Sequence, residues 1–219
     1  MPKNQSVSTA VIRRMPRYYR FLGELLERGV TRISSKELAA LMNLTASQIR
    51  QDLNCFGGFG QQGFGYHVAL LHEEIRKILG LDQGFRAILI GVGNLGRAFV
   101  NHVDFAGSGF DLVGLFDKNP ALIGKKISGL TVQDADEIPA FCAAHTVDVA
   151  VLCVPSEVAQ QTANSLIDCG VTAFWNFTQY DIKVEHPEAV VESVHLADGL
   201  MALCYQVNDS RRPSPPAEK

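Results

Sequence analysis

The chain has 219 residues, 47% of them hydrophobic, which is enough to build two small domains with a core each. No stretch approaches the roughly 20 apolar residues that a membrane-spanning helix needs. The N-terminus also lacks the long apolar segment of a signal peptide. These features argue against a membrane protein and predict a soluble, cytoplasmic one with no membrane partner.

The net charge of −3 is unevenly distributed along the chain. Residues 1–80 contain eleven Lys and Arg against six Asp and Glu, which gives +5, whereas residues 81–219 contain nine against seventeen, which gives −8. This asymmetry is typical of a protein that meets a polyanion with its N-terminal part. Chance variation between two small domains gives the same pattern, so the charge alone leaves both interpretations open.

Cysteine and histidine spacing predicts no metal site. The five cysteines form no C-x-x-C pair, and none of the six histidines lies at structural-zinc spacing from another His or a Cys. Most of the cysteines lie in apolar runs, which is typical of reduced, buried thiols in a cytosolic protein. Cys55 lies in the basic N-terminal part of the chain, which is expected to meet the polyanion, and is therefore a candidate redox-sensing thiol.

The first 80 residues predict a winged helix-turn-helix domain. Apolar residues recur at helical spacing over residues 7–27, although Pro16 interrupts this run. Two further helices are predicted at 36–42 and 46–56, and Thr45 caps the second of them. A helix, a short turn and another helix make up the helix-turn-helix unit.

A glycine-rich segment follows and predicts the wing. Residues 57–65 include five glycines, a composition that excludes a helix and favours a hairpin whose backbone lies close to another surface. A short strand is predicted at 31–33, a helix at 68–79 and a linker at 80–84.

The third helix carries most of the predicted DNA contacts, because its first two turns enter the major groove in a helix-turn-helix protein. Gln suits the edge of adenine, and Arg suits guanine or a phosphate. Asp52 is expected to be a structural partner, since its charge would repel phosphates. The candidate DNA-binding residues are Arg14, Arg17, Thr45, Ser47, Gln48, Arg50, Gln51 and Gln62. A winged-helix module that serves only for dimerisation is the alternative.

Beyond residue 84, short β-rich runs alternate with helical stretches, which predicts a Rossmann-like α/β domain with a parallel sheet. We assign this domain to residues 81–208, including a final helix at 197–207. Residues 209–219 are rich in proline and are predicted to be a disordered tail. The predicted strands are 87–90, 112–116, 147–154 and 171–177, and the predicted helices between them are 94–103, 137–144 and 157–169.

The first β–α turn of this domain has the spacing of a dinucleotide phosphate turn, Gly91-Val92-Gly93-Asn94-Leu95-Gly96. The first glycine permits the tight turn, the second lets the backbone approach a pyrophosphate, and the third allows close helix–strand packing. Asp117 follows Gly96 by 21 residues, which suits a carboxylate that binds ribose hydroxyls and favours NADH and NAD⁺. Lys118 beside it weakens that preference. A Rossmann-like domain that has lost its ligand is the alternative.

Two later strand ends are expected to border the same crevice, because open α/β sheets bind ligands beyond the carboxyl ends of their strands. The candidates are Val154 and Pro155 after one strand and Asn176, Phe177 and Thr178 after the next. Asn176 and Thr178 either bind the cofactor or satisfy local backbone groups.

Together these motifs resemble the Rex family of redox-sensing transcriptional repressors, over nearly the whole chain to about Val207. The resemblance implies a homodimer whose subunits exchange their C-terminal helices. It also implies binding to a double-stranded, palindromic DNA operator when NADH is scarce, and release by NADH. The motifs are Gln48–Leu53, Phe56-Gly57, Gly60, Gly63-x-Gly65-Tyr66, Ile78–Leu81, Gly91–Gly96, Phe116-Asp117-x-Asn119-Pro120, Val154-Pro155 and Asn176-Phe177.

The chain departs from the family pattern at the residues that link cofactor state to domain orientation. Arg20 matches the usual Arg, but His102 stands where a Tyr is usual and His195 where an Asp is usual. Likewise, Cys55 replaces a Tyr and Gln51 a basic residue. Because imidazole changes charge near neutral pH, the two histidines suggest a pH-dependent response.

We therefore interpret the chain as a repressor, not an enzyme, that senses the NADH/NAD⁺ ratio. One alternative is an NAD-dependent dehydrogenase in which His102 or His195 transfers the proton. However, only about 120 residues remain for the α/β part, without a separate substrate domain. A module that binds CoA or another nucleotide and partners other proteins is the third interpretation.

Overall fold

The computed structural model describes residues 7–61 and 64–212. The chain divides into two compact units, Met1–Gln83 and Gly84–Lys219. The division falls within the segment 80–84, where the sequence predicts a linker.

The N-terminal unit is a helical core with a small antiparallel sheet of order β1-β3-β2. Helix α1 buries Met15, Tyr18 and Leu22 along one face, and this face belongs to the core that α4 also lines. Pro16 lies inside α1 without ending it. The elements are α1 (Thr9–Glu27), β1 (Arg32–Ile33), α2 (Ser35–Met42), α3 (Ala46–Asn54), β2 (Gly60–Gln61), β3 (Gly65–His67) and α4 (Val68–Leu79).

Side-chain caps define the turn between α2 and α3. Ser34 and Glu37 form a reciprocal capping box at the start of α2. Asn43 ends that helix in the left-handed conformation, with φ of 51°. The hydroxyl of Thr45 then accepts a hydrogen bond of 3.1 Å from the backbone N–H of Gln48 and starts α3. The predicted helix-turn-helix is thereby confirmed.

The C-terminal unit is a sheet with helices on both faces, as predicted. Within the described residues the sheet has seven strands in the order β10-β9-β8-β4-β5-β7-β6, and β6 is antiparallel to its neighbour β7. The elements are β4 (Phe85–Ile90), α5 (Asn94–His102), β5 (Phe110–Asp117), β6 (Lys126–Ile127), β7 (Leu130–Asp134), α6 (Ile138–Ala144), β8 (Val149–Leu152), α7 (Ser156–Asp168), β9 (Ala173–Asn176), α8 (Ile182–Glu185), β10 (Val190–Ser193) and α9 (Leu196–Ser210).

The strand order of the C-terminal sheet indicates where a ligand crevice is expected. The chain leaves β4 for β5 on one side and later returns to pair β8 with β4 on the other. Ligands bind at such a switch point, beyond the carboxyl ends of the strands. The strands there are buried on both faces, since Ile88 and Ile90 belong to one apolar cluster and Leu89 to another.

The last helix, α9, runs to Ser210, three residues beyond the predicted end at Val207. The first residues of the segment predicted to be disordered are therefore helical, while residues 213–219 lie outside the described part. Helix α9 has no buried residue, although many of its side chains are apolar.

Candidate functional site

The phosphate turn has the backbone geometry that its glycines predict. Gly91 has a φ of +92°, and a Cβ there would lie 2.5 Å from the carbonyl oxygen of Cys153. A Cβ on Gly96 would overlap the carbonyl oxygen of Gly91, which explains the close approach of α5 to the turn. By contrast, a Cβ on Gly93 would meet no heavy atom within 4 Å. The backbone at Gly93 is therefore open on the side that a ligand approaches.

Asp117 fixes this turn to the end of β5. One carboxylate oxygen accepts a hydrogen bond of 2.6 Å from the backbone N–H of Val92, and the other accepts one of 2.8 Å from the N–H of Asn119. The carboxylate therefore sets the shape of the turn and remains at the rim of the crevice. Asn94 and Leu95 form the first turn of α5, where backbone N–H groups have no partner within the helix.

A cleft of about 570 Å³ lies beside the turn and brings together several of the predicted cofactor residues. Gly91, Asp117, Lys118, Val154 and Pro155 line it. Sequence reasoning did not name the other lining residues, because which strand-end, loop and helix positions face the cleft depends on how these elements pack. These residues are Ile90, Asn119, Ala135, Asp136, Ile138, Val158, Gln161, Thr162 and Ser165.

Asn176 and Thr178 are turned into the protein. Asn176 is fully buried and donates to the carbonyl of Tyr180 at 2.8 Å, and its side-chain oxygen accepts from the Thr178 hydroxyl at 2.8 Å. Phe177 packs on the rings of Phe99 and Trp175, with centroids 4.4 and 4.6 Å away. These internal contacts favour the alternative that Asn176 and Thr178 satisfy local groups, and cofactor binding at Asn176, Phe177 and Thr178 stays a prediction.

Asp52 is the centre of the corresponding network in the N-terminal unit. Its fully buried carboxylate accepts two hydrogen bonds of 2.7 Å from Arg14, one of 2.9 Å from Tyr18 and one of 2.7 Å from Gln48. Burial alone would raise the pKa of Asp52, but the hydrogen bonds from Arg14, Gln48 and Tyr18 outweigh it and lower this pKa. The expected structural role of Asp52 is confirmed.

This network engages the side chains of two DNA-binding candidates, whose contact with DNA stays a prediction. The side chains of Arg14 and Gln48 point inward to Asp52, because a buried carboxylate must be neutralised and hydrogen-bonded. Arg17 is also engaged internally, since it donates to the carbonyl oxygen of Met42 and lies over the ring of Phe21.

The exposed face of α3 consists of Ser47, Arg50, Gln51 and Asn54. Arg50 and Gln51 lie three and four residues after Ser47, and Asn54 lies four and three residues after them, so all four share one side of the helix. Arg50 donates to the Ser35 hydroxyl at 3.2 Å, which places its guanidinium between α2 and α3. Asn54 lies on the same face, although the sequence did not place it among the DNA-binding candidates.

The base of the wing is anchored to β1. A Cβ on Gly65 would lie 2.5 Å from the carbonyl oxygen of Ile33, and Arg32 donates to the carbonyl of Phe64 at 3.3 Å. The predicted DNA contact Gln62 lies outside the described residues. Cys55 is exposed at the end of α3, and its thiol lies 3.3 Å from the carbonyl oxygen of Gln51.

The three predicted switch residues are exposed. Arg20 lies in the N-terminal unit with its guanidinium 5.9 Å from the centre of the Phe21 ring. His102 is the last residue of α5, and His195 directly precedes α9. Their joint role in a switch stays a prediction.

Two classes of feature are absent from residues 7–61 and 64–212. No group of three or more His, Cys, Asp or Glu side chains is placed to hold a metal ion. In the same ranges, no helix has the length and apolar character to cross a membrane.

A winged helix-turn-helix unit joined to a dinucleotide-type α/β unit defines a class of ligand-controlled DNA-binding proteins. The family model "Putative DNA-binding protein N-terminus" matches residues 6–54, and the model "CoA binding domain" matches residues 82–180. Redox-sensing transcriptional repressor Rex of Caldicellulosiruptor saccharolyticus is 51% identical over 95% of each chain. The protein of that name from Clostridioides difficile is 49% identical over 95% of this chain and 99% of its own. The chain belongs to the Rex family of redox-sensing transcriptional repressors.

Solved structures support the same assignment. The structure of RSP in complex with β-NAD⁺ and operator DNA matches with a TM-score of 0.88 and 50% identity, over 94% of this chain and 95% of that one. RSP in complex with β-NADH matches with a TM-score of 0.85 and 47% identity, over 94% and 97%. Both matches cover 94% of this chain and therefore extend over its N-terminal and its C-terminal unit.

Proposed function

We propose that this protein binds a palindromic operator as a homodimer when NADH is scarce and that NADH releases it. NADH achieves this only if it binds one conformation of the dimer more tightly than the other, so NAD⁺ competes for the same cleft without the same effect. The cofactor is thus a ligand and not a substrate. We therefore expect a cytoplasmic regulator without catalytic turnover.

The geometry of the phosphate turn is the main observation that supports cofactor binding in this proposal. Gly93 leaves its backbone open next to the N-terminus of α5, and Asp117 holds the turn in place. A helix N-terminus stabilises phosphate through its free N–H groups and its partial positive charge. The pyrophosphate would lie against Gly91–Gly96, the adenosine ribose near Asp117, and the nearby groups of the cleft would include Lys118, Val154 and Pro155.

The operator contacts are assigned to the exposed face of α3. Ser47, Arg50, Gln51 and Asn54 are free of the Asp52 network and share one side of the helix. Arg and Gln at such positions read base edges in the major groove, or contact phosphates. Thr45 contributes by holding the N-terminus of that helix.

The homodimer is supported by the apolar surface of α9. Leu200 is 70% exposed, Met201 64% and Tyr205 65%, an unusual degree of exposure for large apolar side chains on one helix. A second copy of the chain would cover this surface, and its two-fold symmetry would match a palindromic site. Truncation before Leu196 is expected to give monomers in light scattering, while the intact chain gives dimers.

Operator release tests the function as a whole. A labelled palindromic DNA of the kind that Rex repressors bind is titrated with the protein, and the complex is then titrated with NADH and with NAD⁺ while polarisation is measured. We expect NADH to release the DNA and NAD⁺ to oppose it. An operator complex that ignores both cofactors, or failure to bind DNA, would contradict the proposal.

The match of residues 82–180 to a CoA-binding model favours one other ligand class. Coenzyme A and NADH share an adenosine and a pyrophosphate, which are the groups that the turn and the cleft suit. Competition between the two for the cleft distinguishes these ligands. Displacement of NADH by micromolar CoA, with release of the operator, would favour the second class.

A further inference from the structure

Two of the five cysteines meet between helices of the C-terminal unit. Cys142 lies on α6 and Cys169 ends α7, and these two helices pack against each other. The thiols of Cys142 and Cys169 are joined by a hydrogen bond. The two residues are far apart in the sequence, so no C-x-x-C spacing marks them as a pair. The fold therefore builds a dithiol that the sequence alone does not show.

The hydrogen bond gives the two thiols different roles. Burial raises the pKa of Cys142, and the neighbouring Cys169 raises this pKa further, both electrostatically and through the hydrogen bond. A hydrogen bond that raises the pKa of an acid is one in which the acid keeps its proton and donates it. Cys142 therefore donates its S–H to the sulfur of Cys169. Such a donor stabilises negative charge on the acceptor, so Cys169 is the sulfur better suited to react as a thiolate.

Their surroundings distinguish this pair from the other cysteines. Cys142 and Cys169 are half-buried, so a small, neutral oxidant reaches them more readily than a bulky one. Cys153 packs against a different apolar cluster, and burial raises its pKa to about 12, so its thiol stays protonated and unreactive. Cys55 and Cys204 are exposed, at the end of α3 and on α9. Cys142 and Cys169 are thus two thiols that each have a reaction partner in place.

We propose that Cys142 and Cys169 form a modification site at which hydrogen peroxide produces a reversible disulfide. The Cys169 thiolate attacks one peroxide oxygen and becomes a sulfenic acid, while the O–O bond breaks and the other oxygen leaves as water with the proton that Cys169 had lost. The sulfur of Cys142 then attacks that of Cys169, so that the S–S bond forms and the S–O bond breaks. The leaving hydroxide takes the proton of Cys142 and becomes a second water. The two thiols thereby lose two electrons, and the peroxide gains them.

The disulfide would act on the two helices that it joins. It closes a loop over residues 142–169, which contains β8 and α7, and thereby restricts the unfolded chain. The same helices line the cleft, through Ile138 of α6 and Val158 and Thr162 of α7. Oxidation of the pair and binding in the cleft would therefore involve one pair of helices. The inference goes beyond the proposed function and does not depend on it, because it concerns only the chemistry of the two thiols.

Treatment of the full-length protein with hydrogen peroxide tests the proposal. Peptide mapping should find Cys142 joined to Cys169 with the loss of two hydrogen atoms, and dithiothreitol should reverse this. The thermal midpoint of the oxidised protein should rise by about 5 °C or more. In the variant C55S/C153A/C204S, which keeps only this pair, peroxide should remove both remaining thiols and leave the protein monomeric or dimeric as before.

Single substitutions in that variant test the order of attack. With C142S added, the sulfenic acid of Cys169 has no second thiol to meet, so it should accumulate and react with a cyclic diketone that traps sulfenic acids. With C169S added, the raised pKa of Cys142 should make its labelling about tenfold slower or less. Neither single variant should gain the rise in thermal midpoint.

Three results would overturn the proposal. The first is a peroxide-treated protein in which Cys142 and Cys169 remain thiols while other cysteines are oxidised. The second is a disulfide that joins either of them to a different cysteine or to a second chain. The third is equal labelling of Cys142 and Cys169 in the two single variants, which would remove the distinction between the attacking and the resolving sulfur.

Discussion

Each unit of the molecule organises its site around one aspartate, but in opposite ways. Asp52 is buried and collects the side chains of Arg14, Tyr18 and Gln48. Asp117 lies at a strand end and accepts from the backbone N–H groups of Val92 and Asn119. The first acid supports a helix whose outer face is proposed to bind DNA, and the second shapes a backbone turn that is proposed to bind the dinucleotide.

This difference determines which kind of substitution damages each site. The proposed DNA-binding face depends on a network of side chains, so that removal of one partner leaves other polar groups buried without partners. The proposed dinucleotide turn depends on the absence of side chains, so that addition of a methyl group is the damaging change. Substitutions that remove or add atoms at the two sites therefore test the comparison directly.

The largest effect is expected for Asp52→Ala. Its removal leaves the guanidinium of Arg14 and the hydroxyl of Tyr18 without their acceptor, which costs about 3–5 kcal/mol of folding free energy in the N-terminal unit. Denaturant unfolding followed by circular dichroism measures this loss. E27Q changes an exposed carboxylate on α1 and serves as the control. A loss below about 1 kcal/mol would show that the network is not a structural centre.

The same aspartate predicts how stability depends on pH. Hydrogen bonds from Arg14, Gln48 and Tyr18 hold the folded-state pKa of Asp52 below its usual value, although burial opposes them. The carboxylate therefore contributes stability above its unfolded pKa of about 3.9, and this contribution disappears as the pH falls through the folded pKa. Asp52→Asn should flatten the decrease in stability below about pH 4. Equal acid slopes in both proteins would contradict this prediction.

Gly93→Ala should damage function without damaging the fold. A Cβ there meets open space, so the thermal midpoint should stay within about 2 °C, but the methyl group would occupy the path of the pyrophosphate. NADH affinity is expected to fall roughly ten- to a hundredfold, or about 1.4–2.7 kcal/mol. Gly96→Ala is the matched comparison, because its Cβ overlaps the Gly91 carbonyl and should lower stability as well. If Gly93→Ala binds NADH with normal affinity, the pyrophosphate does not lie against Gly93.

The same contrast between side-chain and backbone sites explains which of their features the sequence alone could predict. Glycine spacing specifies a backbone path, so Gly91, Gly93 and Gly96 were correctly placed from the sequence. Side-chain direction depends on tertiary partners, so Asp52 was expected to have a structural role, but the sequence did not identify Arg14 and Gln48 as its donors. The two alternatives for Asn176 stayed open for the same reason, because its bond to the carbonyl of Tyr180 forms only in the folded loop.

Three short strands were not predicted from the sequence, for another physical reason. Strands β6, β7 and β10 have five residues or fewer and mix charged with apolar side chains, and their pairing comes from neighbouring strands and not from their own periodicity. β7 matters for the site, since its end places Asp134 next to Lys118. The missing strand therefore hid the acidic environment of this lysine.

Arg50→Ala should weaken operator binding while the fold remains intact. Arg50 is exposed on α3, and a contact from such an arginine to a base or a phosphate contributes about 1–3 kcal/mol. Arg14→Ala is the matched control, because it removes the same charge from the Asp52 network. It should lower the thermal midpoint first and operator affinity only through that loss. If Arg50→Ala and Arg14→Ala have the same thermal midpoint and lose the same operator affinity, the distinction between the exposed Arg50 and the Asp52-bound Arg14 is wrong.

Thr45→Ala gives the smallest expected effect and tests how the outer face is supported. Its hydroxyl accepts the 3.1 Å bond from the N–H of Gln48, and loss of such a cap costs about 1 kcal/mol. Operator affinity should fall a fewfold, because the first turn of α3 presents Ser47 less firmly. Thr45→Ser keeps the acceptor and should restore both stability and affinity. If alanine and serine at this position weaken DNA binding equally, Thr45 contacts the DNA itself, and its role as a cap does not explain the effect.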